Sequence, residues 1–402
     1  MQPNSHNQEL RVALLTDADV FAGTERHMLD LARSLRETRA SVTLACPAPS
    51  PLAEAAQADG FSILAIPKQG LIDRNAVRIL RRVLQEGSVD IIHAHNGRTA
   101  LLAALAVSAA GRGQCLMTQH FLEPNHATLS GPRAWLSHAA HWWVVGRMFR
   151  ILAISQSVRQ AMLERGEAPD AKIVVVPNGI TPPSVADPNP VRAALGIAAD
   201  APLVACVARL EQEKDVASLV QAMGEVLRQM PRACCLIAGD GAQREALAAQ
   251  IARLGLEQNV FLLGFRQDAG NVMAAADLFV LPSLAEPFGL VILEAMALGK
   301  AVVATQAGGP LEIVVPGKTG LLVTPAAPHA LAQAILQLLR DPDLRSAMGH
   351  QGQARYVAKF TAARMAQQTL AVYREAAGRP VAPSSSAPPV PAPPVVPDPK
   401  QY

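Results

Sequence analysis

Short, mainly apolar runs recur along this chain, and helical patterns fill the intervals between them. In the first half they are Val12–Thr16, Val42–Cys46, Ile63–Ile66, Asp90–Ala94, Cys115–Thr118, Ile151–Ile154 and Ile173–Val176. In the second half they are Leu203–Ala208, Cys234–Ala238, Val260–Leu263, Leu278–Leu281 and Ala301–Ala304. Their hydrophobicity is continuous rather than alternating, which predicts strands buried on both faces, as in parallel sheets. Parallel strands need crossover helices, so the pattern predicts α/β architecture built from doubly wound, Rossmann-like βαβ units. At 402 residues, half of them hydrophobic, the chain is too long for one ordinary core and divides into two domains.

The division falls at Thr181–Pro190, where four prolines in ten residues cannot continue a helix or a central strand. Residues 1–180 form the first domain, 181–190 the linker and 191–360 the second domain. Two doubly wound domains facing each other leave a cleft between the carboxyl ends of their sheets. From Arg379 to Tyr402 there are nine prolines in 24 residues, which reads as a disordered or polyproline tail.

Net charge is +3 and aromatic residues make up 4 %, too few for a nucleic-acid stacking platform. Such a balance suits an anionic substrate or a membrane surface. The five cysteines show no zinc-ligand spacing and read as small buried hydrophobes in a reducing compartment. The N-terminus lacks a signal-peptide core, and no window reaches 18 apolar residues without a charge. The expectation is a cytoplasmic protein, with contact at the inner face of the membrane as a further option.

The most informative motif is Ser283-Leu-Ala-Glu286-Pro-Phe288-Gly289-Leu290-Val-Ile-Leu-Glu294, with seven residues between the two acids. Pro287 and Gly289 break the chain after Glu286, and a helix-forming run follows. Glu286 should lie on the loop leaving a strand and Glu294 inside the next helix. Free N–H groups between two carboxylates suit a sugar attached to a nucleotide diphosphate. The alternative is a strand–loop–helix bearing two solvated acids. Arg209 and Lys214 follow the strand-like run Leu203–Ala208, and two such cations can neutralise a departing diphosphate. The alternative for them is an exposed charged loop.

The acid-x7-acid segment resembles that of retaining glycosyltransferases of family 4, which have GT-B architecture. Six further segments agree in order: Ala22–Arg26, Thr118–His120, Ala153–Val158, Val176–Ile180, Arg209–Asp215 and Ala238–Gly241. The resemblance spans roughly residues 10 to 375 and is most specific in the C-terminal half. It implies an acceptor-side first domain, a nucleotide-sugar-binding second domain, and a last helix, 361–378, crossing back to the first. It implies that Glu294 holds the ribose, while Glu286 and the N–H groups of Phe288, Gly289 and Leu290 hold sugar and phosphates. Arg209 and Lys214 match the family's phosphate-binding pair, and His120 a contact to the donor sugar. Gly23 follows the first strand and would let backbone N–H approach a phosphate. The family usually has two glycines there, and this chain has Ala22-Gly23.

Other features point less far. Asp17-Ala-Asp19 resembles a metal-binding Asp-x-Asp but sits in the first domain, so it reads as a polar loop, with no metal and no cofactor required. His93 and His95 have no carboxylate partner nearby, which makes a metal pair weak; His95 is also a candidate to line the cleft. Gly239-Asp240-Gly241 and Gly308-Gly309 read as strand-to-helix turns. Gly131–Arg150 carries all three tryptophans, with Arg133, Arg147 and Arg150, and reads either as a membrane-interface surface or as a packed helix. The predicted function is transfer of a sugar from a nucleotide-diphosphate sugar to a glycan or lipid-linked hydroxyl, in cell-envelope synthesis. Alternatives are a nucleotide-sugar epimerase of the same fold, which needs an acid/base pair that is not evident, and a non-catalytic scaffold using the tail.

Overall fold

The computed structural model describes residues 9–38, 40–70, 72–122, 132–186 and 189–379. The described residues form two sheets. The first holds β1 (Leu10–Leu15), β2 (Ala40–Cys46), β3 (Ser62–Ala65), β4 (Ile91–Ala94), β5 (Gln114–Gln119), β6 (Ile151–Ala153) and β7 (Ile173–Val175), in the order β3-β2-β1-β4-β5-β6-β7. The second holds β8 (Leu203–Val207), β9 (Cys234–Ala238), β10 (Val260–Gly264), β11 (Leu278–Leu281), β12 (Ala301–Thr305) and β13 (Gly320–Val323), in the order β10-β9-β8-β11-β12-β13. Every pairing is parallel. Each sheet is wound outward from its first strand and then in the opposite direction, so the winding reverses between β1 and β4 and between β8 and β11.

Burial explains the continuous apolar runs. Successive β1 residues enter different cores: Leu10, Val12 and Leu14 pack with Met28, Leu31 and Leu35 of the helix Gly23–Arg36. Ala13 and Leu15 pack with Leu80 and Leu84 of the helix Arg74–Gln85, on the opposite face. Every residue of β9 and β12 is buried. The cysteines are all free and buried, and burial pushes the Cys115 and Cys206 thiols up to about 12.

Sequence and structure differ in two places. β13 escapes the apolar-run criterion because it is a four-residue edge strand, paired only with β12, whose last three residues are half-buried. The linker ends sooner than its prolines suggest, because the helix Asn189–Ala194 begins inside it. Pro190 falls in that helix's first turn, where a missing N–H costs nothing. The proline-rich segment from 380 onward lies outside the described residues.

The chain crosses between the domains twice, side by side. Ile180 N–H donates to Phe360 O at 3.0 Å, and Ala362 N–H donates to Ile180 O at 3.0 Å. Gly179 sits at this crossing, where a Cβ would lie 2.2 Å from Thr361 O. The helix Ala362–Ala376 is capped by Thr361, whose hydroxyl accepts from Arg364 N–H. It lays Met365, Ala366, Leu370 and Tyr373 into the first domain's core. The fully buried Tyr373 hydroxyl lies 2.6 Å from His93 Nδ1, which fixes this C-terminal helix under β4.

Met365, Leu370, Val372 and Tyr373 are each worth ~1.5–3 kcal/mol when buried. Together they approach the ~5–15 kcal/mol net stability of a domain. A chain ended after Phe360 should therefore lose its cooperative melt, while one ended after Gly378 should melt with the full-length protein. Scanning fluorimetry checks both, and an intact melt for the shorter chain would overturn the role given to this helix.

Candidate active site where the two sheets meet

Doubly wound sheets bind ligands outside the carboxyl ends of their strands, at the reversal of winding. The sequence candidates lie at those ends: Gly23 after β1, His95 after β4, His120 after β5, Lys214 after β8 and Glu286 after β11. The helix Leu290–Ala297 brings the two halves into contact, since a Cβ on Gly23 would lie 3.7 Å from Leu290 Cδ1.

That contact sets two helix N-termini side by side, one from each domain. Gly289, at φ 105°, caps the second helix in the left-handed region that favours glycine. A side chain there would also crowd Ile292 Cδ1 at 3.1 Å. Among the described residues, the N–H groups of Phe288, Gly289 and Leu290 have no backbone partner. Phe288 itself is buried and packs on Phe360, with ring centroids 6.2 Å apart. At the first helix, the Glu25 carboxylate folds back to accept from Ala22 N–H at 3.1 Å. Burial raises the Glu25 pKa. Gly23 and Thr24 keep their N–H groups directed out of the helix end.

Lys214 and Glu286 meet beside these ends, with Lys214 Nζ 2.6 Å from Glu286 Oε2. Both side chains are largely buried, at 14 % and 10 % exposure. Ser283 Oγ donates to the same carboxylate oxygen at 3.3 Å. The loops that carry the pair are joined by Leu284 N–H donating to Glu213 O at 2.8 Å. Arg209 stands apart: its side chain is 65 % exposed and its guanidinium pairs with Glu213 at 2.7 Å. Glu294 is half-buried within its helix and faces Arg26 and Asp30 of the other domain. Burial raises its pKa; Arg26 works against that shift and Asp30 adds to it.

His120 belongs to a cluster of four histidines. His95 Nδ1 lies 3.1 Å from His120 Nε2, and the His27 ring meets His120 edge-on with centroids 4.8 Å apart. Burial lowers all four pKa values, to about 4 for His27 and about 3 for His93, so the rings are neutral at pH 7. His93 is saturated by Tyr373 and by Thr118 Oγ1 at 2.7 Å. Nε2 of His95 is buried without a partner among the described residues, and His27 is buried beside the Asn178 side chain. Ligand atoms of His27, His95 and His120 lie within 4.8 Å of one another, so this group could hold an ion. The sequence reading passed over His27, although it lies four residues after Gly23 and therefore on the same helix face.

Asp17 and Asp19 are neutralised by protein groups. Asp17 accepts from Asn96 Nδ2 at 2.6 Å and from Arg98 Nη1 at 2.7 Å, and Asp19 pairs with Lys68. The tryptophan-bearing helix Pro132–Arg147 packs partly into the first domain. Val144 and Val145 enter the core, while Trp142 and Trp143 are 39 % and 38 % exposed. Among the described residues, no helix is long and apolar enough to cross a membrane.

The chain is similar to known proteins across both domains. The family model Glycosyltransferase Family 4 matches residues 21–182, and Glycosyl transferases group 1 matches residues 189–355. Alpha-maltose-1-phosphate synthase of Mycolicibacterium smegmatis is 32 % identical over 399 residues, covering 91 % of this chain and 99 % of that protein. A GDP-mannose-dependent monoacylated alpha-(1-6)-phosphatidylinositol monomannoside mannosyltransferase of Corynebacterium glutamicum is 32 % identical, covering 70 % of this chain and 75 % of its own. Among solved structures, Anabaena Alr3699/HepE in complex with UDP is 26 % identical, with a TM-score of 0.76 over 90 % of this chain and 98 % of that one. With two doubly wound domains and similarity along nearly its whole length, the chain belongs to the family 4, group 1 glycosyltransferases of GT-B fold.

Proposed function

We propose that the protein is a retaining, metal-independent glycosyltransferase that moves a sugar from a nucleotide-diphosphate sugar to a hydroxyl acceptor. The observation that carries this reading is the abutment of two open helix N-termini beside a largely buried Lys214–Glu286 pair. Helix N-termini favour anions through unpaired N–H groups and the helix dipole. A diphosphate between Gly23 and Gly289–Leu290 takes donors from both domains at once. Lys214, and Arg209 swung from Glu213, add positive charge as the diphosphate departs. Glu294 takes the ribose hydroxyls, and Glu286 a sugar hydroxyl.

The neutral rings of His27, His95 and His120 can each donate and accept a hydrogen bond, which suits sugar hydroxyls. The acceptor hydroxyl attacks the anomeric carbon from the face the leaving group vacates. The bond from that carbon to the phosphate oxygen breaks, and the departing oxygen takes the acceptor's proton. No protein base is then required. The names of relatives, including the mannosyltransferase above and a lipopolysaccharide core biosynthesis glycosyltransferase of Rhizobium meliloti, favour a cell-envelope glycan or glycolipid as acceptor. Trp142, Trp143 and Phe121 are exposed on the first domain and favour contact with a membrane-borne acceptor.

A thermal-shift screen against UDP-, GDP- and ADP-sugars tests the reading first. One donor should raise the melting temperature in a concentration-dependent way, and UDP-sugars are the first candidates because the Anabaena relative was solved with UDP. No shift with any of them would contradict the donor assignment.

Lys214→Ala should lower kcat about 10²–10³-fold, the usual loss for a group that stabilises developing charge. Arg209→Ala should lose only about tenfold, because an exposed arginine is screened by solvent. Wild-type turnover in Lys214→Ala would remove the diphosphate role.

Turnover should persist in EDTA. The three-histidine group is where an ion would bind, so chelator-sensitive activity restored by Mn²⁺ or Zn²⁺ would contradict metal independence.

A further inference from the structure

The helix Gln156–Glu164 of the first domain is capped by two groups at once. Ser155, fully buried, accepts from Val158 N–H at 3.0 Å in the usual capping manner. The same hydroxyl donates to Pro287 O at 2.9 Å, on the loop between Glu286 and Phe288. Glu312 then reaches the helix from the second domain. Its Oε2 accepts from Gln156 N–H at 2.9 Å, and its Oε1 accepts from Ser157 N–H at 2.9 Å and Ser157 Oγ at 3.1 Å. A carboxylate on a helix N-terminus is favoured by both hydrogen bonding and dipole. Here it joins segments more than 150 residues apart.

The segment bearing Glu312 cannot move independently of the Glu286 loop. Glu286 N–H donates to Ala307 O at 3.1 Å, and Gly309 N–H donates to Glu286 O at 2.8 Å. The approach is so close that a Cβ on Gly309 would lie 2.1 Å from Phe288 O. On the far side, Arg355 holds the backbone of Glu312 and Ile313, donating to both carbonyls at 2.7 Å. Residues 286–288 and 307–313 therefore form one unit, and Glu312 and Ser155 attach that unit to the other domain.

We propose that Glu312 and Ser155 are positioning residues that lock the first domain onto the Glu286–Leu290 loop, so that docking of the domains and shaping of the loop are one event. This rests on the reading of that loop as the donor site. Neither residue touches substrate in this account. They act by holding His120 and Gly23, on one domain, in register with Glu286 and Leu290 on the other.

Removing these three charge-assisted hydrogen bonds should shift the docked-to-open ratio about 10–100-fold. Glu312→Ala should lower kcat by that range with a smaller change in donor KM, and raise donor hydrolysis relative to transfer. Small-angle scattering of the full-length chain should show a larger radius of gyration than wild type. Glu312→Gln, which keeps the shape and one acceptor oxygen, should fall between. Ser155→Ala should follow Glu312→Ala in direction, and Ser155→Thr should restore the wild-type profile.

The proposal is overturned if Glu312→Ala keeps both wild-type kcat and wild-type radius of gyration. It is equally overturned if Ser155→Thr is no better than Ser155→Ala in a protein that folds. Binding of UDP, GDP and ADP to the wild type separates the two readings. If none of UDP, GDP and ADP stabilises it, the donor-site assignment falls, while the scattering comparison still decides the lock.

Discussion

All thirteen described strands run parallel within their sheets, and the placement of every candidate residue follows from that constraint. Parallel strands send all their carboxyl ends to one side. The reversal of winding then parts the loops at β1/β4 in one sheet and at β8/β11 in the other. Gly23, His95, Lys214 and Glu286 occupy loops or helix starts at those two partings, and His120 ends the neighbouring strand β5. The helix Ala362–Ala376 returns to the first domain and the backbone crossing at Gly179 allows almost no slack, so the two partings are held face to face.

Electrostatics at this meeting point is uneven by design of the fold. The second domain contributes a largely buried ion pair, Lys214–Glu286, whose carboxylate also takes a hydroxyl from Ser283. The first contributes four histidines that burial keeps uncharged. Between them lie helix ends whose N–H groups carry partial positive charge without a mobile side chain. An anion entering here meets fixed dipoles and one largely buried cation, which need little reorganisation as charge develops. A neutral sugar placed beyond it meets uncharged imidazole rings, which can both donate and accept hydrogen bonds.

Much of this was legible in the sequence because it is local. Continuous apolar runs marked twelve strands, and the Pro287–Gly289 break set Glu286 on a loop and Glu294 on a helix. What the sequence did not show depends on pairs far apart in the chain. The His27–His95–His120 grouping needs a helix and two strand ends to converge. Glu312 reads as an ordinary acid near a diglycine until the fold brings Gln156 and Ser157 to it. Arg209 and Lys214 look equivalent in sequence, yet one is largely buried on Glu286 and the other lies in solvent. β13 was missed because edge strands need less apolar character than central ones.

The central claim is that a diphosphate binds between two helix N-termini from different domains. Hydrogen exchange read by mass spectrometry, with and without whichever of UDP, GDP and ADP the thermal-shift screen selects, tests it most directly. That nucleotide should slow exchange in two separate peptides, one spanning Gly23 and Thr24 and the other spanning Phe288–Leu290. Protection in the second peptide alone would contradict a shared site, and protection in neither would contradict the account as a whole.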